Sequence, residues 1–309
     1  PAQTGLGGRY YNGRGVVRDE AEAIRWYRLA AEQGDAEVLA WLLMTAEQGS
    51  AEAQVNLAEM YADGRGVMPD LAEALRWYLQ AAEQGDAAAA AWVHRIAEQG
   101  NVEAQLGLGG MYFAGQAVAE DAAEGVRWWR LAAEQGHLPA QTGLGGRYFN
   151  GRGVEQDVAE AFRWYRMAAE QGDEEVLAFI RLNAEQGLMP AQAGLAEMYA
   201  DGRGVMPDVA EAVRWYRMAA EQGHVEAQLT LGSRYDTGRG VVQDLAEAVR
   251  WYRRAAEQGE AEATAWLHLN AEQGVATAQH GLGVMYAEGR GVTQDEAEAV
   301  RLYRLSAGQ

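Results

Sequence analysis

The chain has 309 residues, 49% of them apolar, carries a formal charge of −19 and contains no cysteine. Such a composition belongs to a folded chain, and the acidic excess argues against a nucleic-acid backbone or an anionic membrane as partner, since both need clustered cations. Disulfides, thiolate nucleophiles and cysteine zinc sites are excluded, and no run of about 18 apolar residues offers a membrane span.

All 26 basic residues are arginine, a usage that fits GC-rich coding DNA and a bacterial source. The opening Pro1-Ala2-Gln3-Thr4 lacks the charged and apolar regions of a signal peptide. The compartment stays open between bacterial cytoplasm, periplasm and secretion.

A four-residue mark, Ala-Glu-Gln-Gly, ends at Gly34, Gly49, Gly85, Gly100, Gly136, Gly172, Gly187, Gly223, Gly259 and Gly274, so successive gaps are either 15 or 36 residues. A fixed period of this size indicates stacked repeats, each burying its apolar face against its neighbours. The marks divide one repeat domain, 1–309, into long repeats 1–34, 50–85, 101–136, 137–172, 188–223, 224–259 and 275–309. Short units 35–49, 86–100, 173–187 and 260–274 lie between them.

Each long repeat opens with Ala-Gln, as in Ala53-Gln54, and continues with a Leu and a Tyr, here Leu57 and Tyr61. Ala, Leu and Tyr at i, i+4 and i+8 make the apolar stripe of a first helix. It stops at a Gly-Arg-Gly-Val turn such as Gly64-Arg65-Gly66-Val67, whose glycines suit a left-handed cap and whose Val plugs the loop onto the helix pair. Repeat 101–136 reads Gly115-Gln116-Ala117-Val118 instead.

A second helix begins at an Asp followed three residues later by Glu, from Asp19/Glu22 to Asp295/Glu298. This predicts a capping box, with Asp accepting from the third amide and Glu reaching back to the cap amide. Arg-Trp-Tyr and the closing mark follow; Leu302 replaces the Trp in the last repeat, which predicts less burial there. Each short unit has room for one helix, carrying Trp41, Trp92, Phe179 or Trp266. The predicted fold is therefore all-α, with eighteen helices. One added helix in an antiparallel stack reverses all that follows, so the Gly-Arg-Gly-Val loops should change edges across each short unit.

The pattern Ala-Gln…Leu-Gly…Tyr…Gly-x-Gly-Val…Asp…Ala…Trp…Ala-Ala-x-Gln-Gly over 36 residues resembles the Sel1-like repeat, a relative of the tetratricopeptide repeat. The resemblance implies a right-handed α-solenoid acting as a protein-binding scaffold, outside the disulfide-bonded branch of the family. The four short units depart from it.

Chemistry is sparse. No strand precedes the Gly-rich turns and no Lys follows them, so they are turns rather than phosphate cradles. The five histidines include no i, i+4 pair and imply no metal. No odd carboxylate or Ser-His pairing suggests catalysis, and no cofactor is implied. The Trp and Tyr series reads as core. A variable column on the first helix, Arg9, Met60, Met111, Arg147, Met198, Arg234 and Met285, is the candidate partner-binding site, since Met and Arg favour interfaces. Glycines on the same stripe equally support packing against a neighbouring helix. The expected function is a non-catalytic scaffold binding a protein or peptide along the solenoid groove. The alternative is a structural protein whose uncapped ends stack head to tail into a filament of its own copies.

Overall fold

The computed structural model describes residues 1–308, and every regular element among them is an α-helix. The chain divides into two compact units, Pro1–Gln156 and Asp157–Gln309. The first holds α1 (Ala2–Asn12), α2 (Glu20–Ala31), α3 (Ala36–Glu47), α4 (Ala51–Asp63), α5 (Leu71–Glu83), α6 (Ala87–Glu98), α7 (Val102–Ala114), α8 (Ala122–Glu134) and α9 (Leu138–Asn150). The second holds α10 (Val158–Glu170), α11 (Glu174–Glu185), α12 (Met189–Asp201), α13 (Val209–Glu221), α14 (Val225–Thr237), α15 (Leu245–Glu257), α16 (Ala261–Glu272), α17 (Ala276–Glu288) and α18 (Glu296–Ala307). Helices α3, α6, α11 and α16 stand alone between hairpins, and the helices flanking them also meet: α2 with α4, α5 with α7, α10 with α12, and α15 with α17.

Six hairpins close by a shared device that corrects the expected capping box. The Asp19 carboxylate accepts from the Glu22 amide at 3.0 Å, as expected. The Asp19 amide, however, donates to the Tyr10 carbonyl of the first helix at 3.1 Å, and Asp70 and Asp121 do the same to Tyr61 and Tyr112. With the cap amide taken, Glu22 turns to Arg25 three residues on, at 3.1 Å. The same pairing recurs in all seven hairpins, through to Glu298 and Arg301.

From Gln54 onward, the glutamine of each Ala-Gln pair joins neighbouring units. Buried Gln54 donates from Nε2 to the Ala46 carbonyl at the end of α3 (3.0 Å) and accepts from Gln84 Nε2 at 2.7 Å. Gln105, Gln141, Gln192, Gln228 and Gln279 repeat the first bond at 2.9–3.2 Å. A buried helix-end carbonyl left without a donor would cost roughly 1–3 kcal/mol. The last hairpin buries less, as the sequence implies, but the gap is at Val300, which is 45% exposed, while Leu302 is as buried as the tryptophans it replaces.

The loops change ends across a single helix. Residues 13–16 lead into the N-terminus of α2, whereas a Cβ on Gly66 would lie 2.6 Å from the Ala31 carbonyl oxygen at the C-terminus of that helix. The two loops thus occupy opposite ends of α2. Where no single helix intervenes, they share an end: a Cβ on Gly153 would lie 2.7 Å from the Ala122 Cβ at the start of α8, into which loop 115–118 leads. In the second unit, Gly204 approaches the end of α10, Gly240 the start of α13 and Gly291 the end of α15, the same alternation.

Two local features yield measurable outcomes. Ala117 occupies the left-handed region at φ 55°, where the other loops have glycine. That conformation costs a non-glycine residue about 1–2 kcal/mol, so Ala117→Gly should raise the unfolding free energy by roughly 1 kcal/mol in urea titration, net of the entropy glycine loses. A lower or unchanged midpoint would show that the strain is absent.

His224 caps α14, its Nδ1 accepting from the Ala227 amide at 3.2 Å. Burial lowers its pKa below the usual 6.5, against a smaller opposing effect of Glu226. Folding therefore favours the neutral ring, and its contribution is present above the unfolded pKa and lost as pH falls through the lower folded value. Between pH of about 7 and 5, wild type should lose more thermal stability than His224→Asn, which keeps an acceptor at the cap. Parallel melting curves for the two proteins would refute this.

Candidate partner-binding surface

The seven-residue column proposed as a binding stripe divides in two. Met60, Met198 and Met285 have no exposed surface and Met111 has 2%, so none of them can meet a partner. The reason is positional. All four lie in hairpins that directly follow a single helix, and Met60 joins the core with Leu42 and Ala46 of α3.

Arg147 and Arg234 lie in hairpins that directly follow another hairpin, and both hold their own loop. Arg147 donates to the Arg152 carbonyl at 3.4 Å and Arg234 to the Arg239 carbonyl at 3.3 Å. Their guanidinium planes reach the preceding hairpin. Arg147 lies 3.1 Å from the Phe113 ring centroid and 4.9 Å from that of Trp129; Arg234 lies 5.7 Å from that of Tyr216. Burial, with Arg152 nearby, lowers the Arg147 pKa. Of the column, Arg9 alone is exposed.

The aromatic residue after each core Trp explains this division. Where a single helix follows, its aromatic side chain covers that ring: Trp41 on Tyr27 at 4.5 Å, Trp92 on Tyr78 at 4.2 Å, Phe179 on Tyr165 at 5.1 Å and Trp266 on Tyr252 at 4.3 Å. Where a hairpin follows, its arginine covers Trp129 or Tyr216 instead. Burial, then Glu59 and Asp63, push the Tyr78 hydroxyl up to about 12. The aromatic series is core, as the helical spacing implies.

A second arginine position responds to the same junction. Across single helices, Arg28 pairs with Glu59 and Arg166 with Glu197, with Arg65 and Arg203 joining through Glu32 (3.8 Å) and Glu170 (3.6 Å). At direct hairpin junctions the corresponding Arg130 and Arg217 donate to the hydroxyls of Tyr148 and Tyr235.

In the second unit, residues of this packing scheme share a recess with further polar side chains. Asp201, Ser233, Arg234, Arg239, Tyr252 and Glu262 line a cavity of about 430 Å³ between α12, α14, α15 and α16. Burial raises the pKa of Tyr252, with Asp236 adding to it. In three loops the arginine is drawn back by an acid two residues before it, Arg65 by Asp63, Arg203 by Asp201 at 2.7 Å and Arg290 by Glu288 at 3.2 Å. Asn12, Asn150 and Thr237 stand at that position before Arg14, Arg152 and Arg239, so the exposed Arg239 guanidinium has no such acid. Sequence reasoning missed Arg239 because Gly-Arg-Gly recurs in six of the seven loops; the only signal was local, at Ser233 and Thr237. No group of three or more His, Asp or Glu suited to a metal occurs among the described residues.

The Sel1 repeat matches residues 1–35, 51–86, 102–137, 138–173, 190–224, 225–260 and 276–309. Among solved structures, a protective antigen present in uropathogenic Escherichia coli strains is 32% identical over 100% of this chain and 69% of its own, with a TM-score of 0.29. A Sel1 repeat protein from Oxalobacter formigenes is 32% identical over 99% of this chain and 71% of its own, TM-score 0.29. An immunity protein from Pseudomonas aeruginosa is 21% identical over 60% of this chain and 74% of its own, TM-score 0.23. No curated protein matches. These relatives are bacterial, and Sel1 repeats generally mediate protein–protein interaction on a fold that is typically a non-catalytic scaffold. No helix among the described residues is long and apolar enough to cross a membrane. With its characteristic hairpins recurring seven times, the chain belongs to the Sel1 repeat family.

Proposed function

We propose that this protein is a non-catalytic scaffold that holds a protein or peptide segment against its first helices, anchored at the cavity on α12, α14 and α16. The observation carrying this reading is the recess at Arg239, an exposed guanidinium without an acid like those that hold Arg65, Arg203 and Arg290. It shares the cavity with Arg234, Ser233 and Tyr252. Guanidinium and hydroxyl groups in one recess suit a side-chain or C-terminal carboxylate, while Asp201 and Glu262 at the same rim suit an adjacent cation or amide. The buried methionines drop out of the site, and Arg234 acts partly by shaping the loop. No catalytic residue is assigned.

Peptides selected from a random display library on the full chain should be enriched in acidic residues. Their affinity should fall roughly tenfold or more with Arg239→Glu, the scale of a lost charged hydrogen bond of about 1.5–3 kcal/mol. Selected peptides that bind the variant as well as the wild type would reject this site.

A further inference from the structure

Two histidines 87 residues apart cap equivalent helices but differ in what they face. The Nδ1 of His137 accepts from the Ala140 amide at 3.4 Å, and that of His224 from the Ala227 amide at 3.2 Å. With Nδ1 as acceptor, the neutral ring of His224, which burial favours, carries its proton on Nε2. The Nε2 of His137 meets the Glu103 carboxylate at 3.2 Å. At His224 the place of Glu103 is taken by Pro190, whose side chain has no acceptor.

A second exchange opens space beside that ring. Leu79 of α5 packs onto Gly107 of α7, where a Cβ would lie 2.3 Å from its Cδ2. The counterparts in the second unit are Arg166 and Gly194. Arg166 is held by Glu197 and, at 3.8 Å, by Glu170, and a Cβ on Gly194 would meet only its Cδ, at 3.8 Å. A recess of about 220 Å³ results. Buried Phe162 and Ala193, with Pro190, give it an apolar lining, His224 and Arg163 add donors, and Glu226 is exposed at its edge.

The recess lies in line with the one at Arg239. Pro190, Gly194 and Glu197 line the first, and Ala200 and Asp201 of the same helix line the second. Steps of three and four residues put them on one face of α12. From Pro190 to Asp201 the helix rises about 16 Å, the length of about five residues of extended peptide. The geometry points to the His224 recess as a second carboxylate subsite for the segment held at Arg239. That segment sets one acidic side chain against Arg239 and another, about five residues away, against the Nε2–H of His224, as Glu103 does at His137. The inference rests on the reading of Arg239 as an anchor. The recess falls below the roughly 300–1,000 Å³ of sites for drug-sized ligands, which suits a single side chain, and Glu226 favours a peptide amide beside that acid.

Calorimetric titration of the full chain with peptides selected on it from a random display library tests this. The peptides should carry two acidic residues about four to six apart, and changing either to its amide should weaken binding roughly tenfold. His224→Asn keeps an acceptor at the α14 cap but falls short of the recess. Pro190→Glu recreates the pairing of Glu103 with His137 and fills the recess with the protein's own acid. Each variant should bind roughly tenfold more weakly with unchanged helical circular dichroism, and in each the amide at the second acid should cost nothing further. In Arg239→Glu that same amide should still weaken binding. Full affinity in both His224→Asn and Pro190→Glu, with Arg239→Glu impaired, would overturn the subsite and leave the anchor standing. Full affinity in Arg239→Glu would reject the anchor and the pairing with it.

Discussion

Every second helix in this protein carries one aromatic ring that its own hairpin cannot cover, and the next element along the chain has to supply the cover. Burying such a ring is worth several kcal/mol of core packing, so the identity of the covering group constrains which element can follow. A single helix supplies another ring; a hairpin supplies an arginine, whose planar cation lies over the π-face while its donors fasten the loop beside it. The methionines belong to this constraint as well. After a single helix the arginine has no ring to meet, and a flexible apolar side chain fills the space.

The same constraint governs direction. In an antiparallel stack a lone helix reverses the sense of the hairpins after it, which is why Gly66 meets the end of α2 while Gly153 meets the start of α8. The ion pairs from Arg28 to Glu59 and from Arg166 to Glu197 bridge hairpins that a single helix would otherwise hold apart. Partly exposed pairs of this kind add little to stability. Their effect is geometric, because they fix the angle at which the flanking helices meet around α3 and α11.

What was legible in the sequence was whatever depends on local spacing. The repeats, the helix starts at Asp, the left-handed glycines and the aromatic core all follow from positions within one unit. What was not legible depends on competition or on a neighbour. Glu22 has the spacing of a capping-box residue, yet the Tyr10 carbonyl takes the amide and Arg25 takes the carboxylate. Met60 and Arg147 occupy the same place in the repeat, and only the element before each decides whether it is buried. The Ala-Gln glutamine was visible as a constant but had no assignable role until the Ala46 carbonyl was found beside it. The cavity at Arg239 was hidden by the opposite effect, an arginine that looks constant and whose recess is marked only by Ser233 and Thr237 beside it.

The Ala-Glu-Gln-Gly mark ends hairpins and single helices alike, although the junctions behind it are of two kinds. Identical stretches of this sort are where a gene exchanges segments with itself. An exchange that moves a hairpin from one kind of junction to the other would place an arginine against a tryptophan that already has its partner, or a methionine under a bare tyrosine. The unit that such an exchange can move without loss is therefore the interface between neighbours, together with the ring or cation that each side brings.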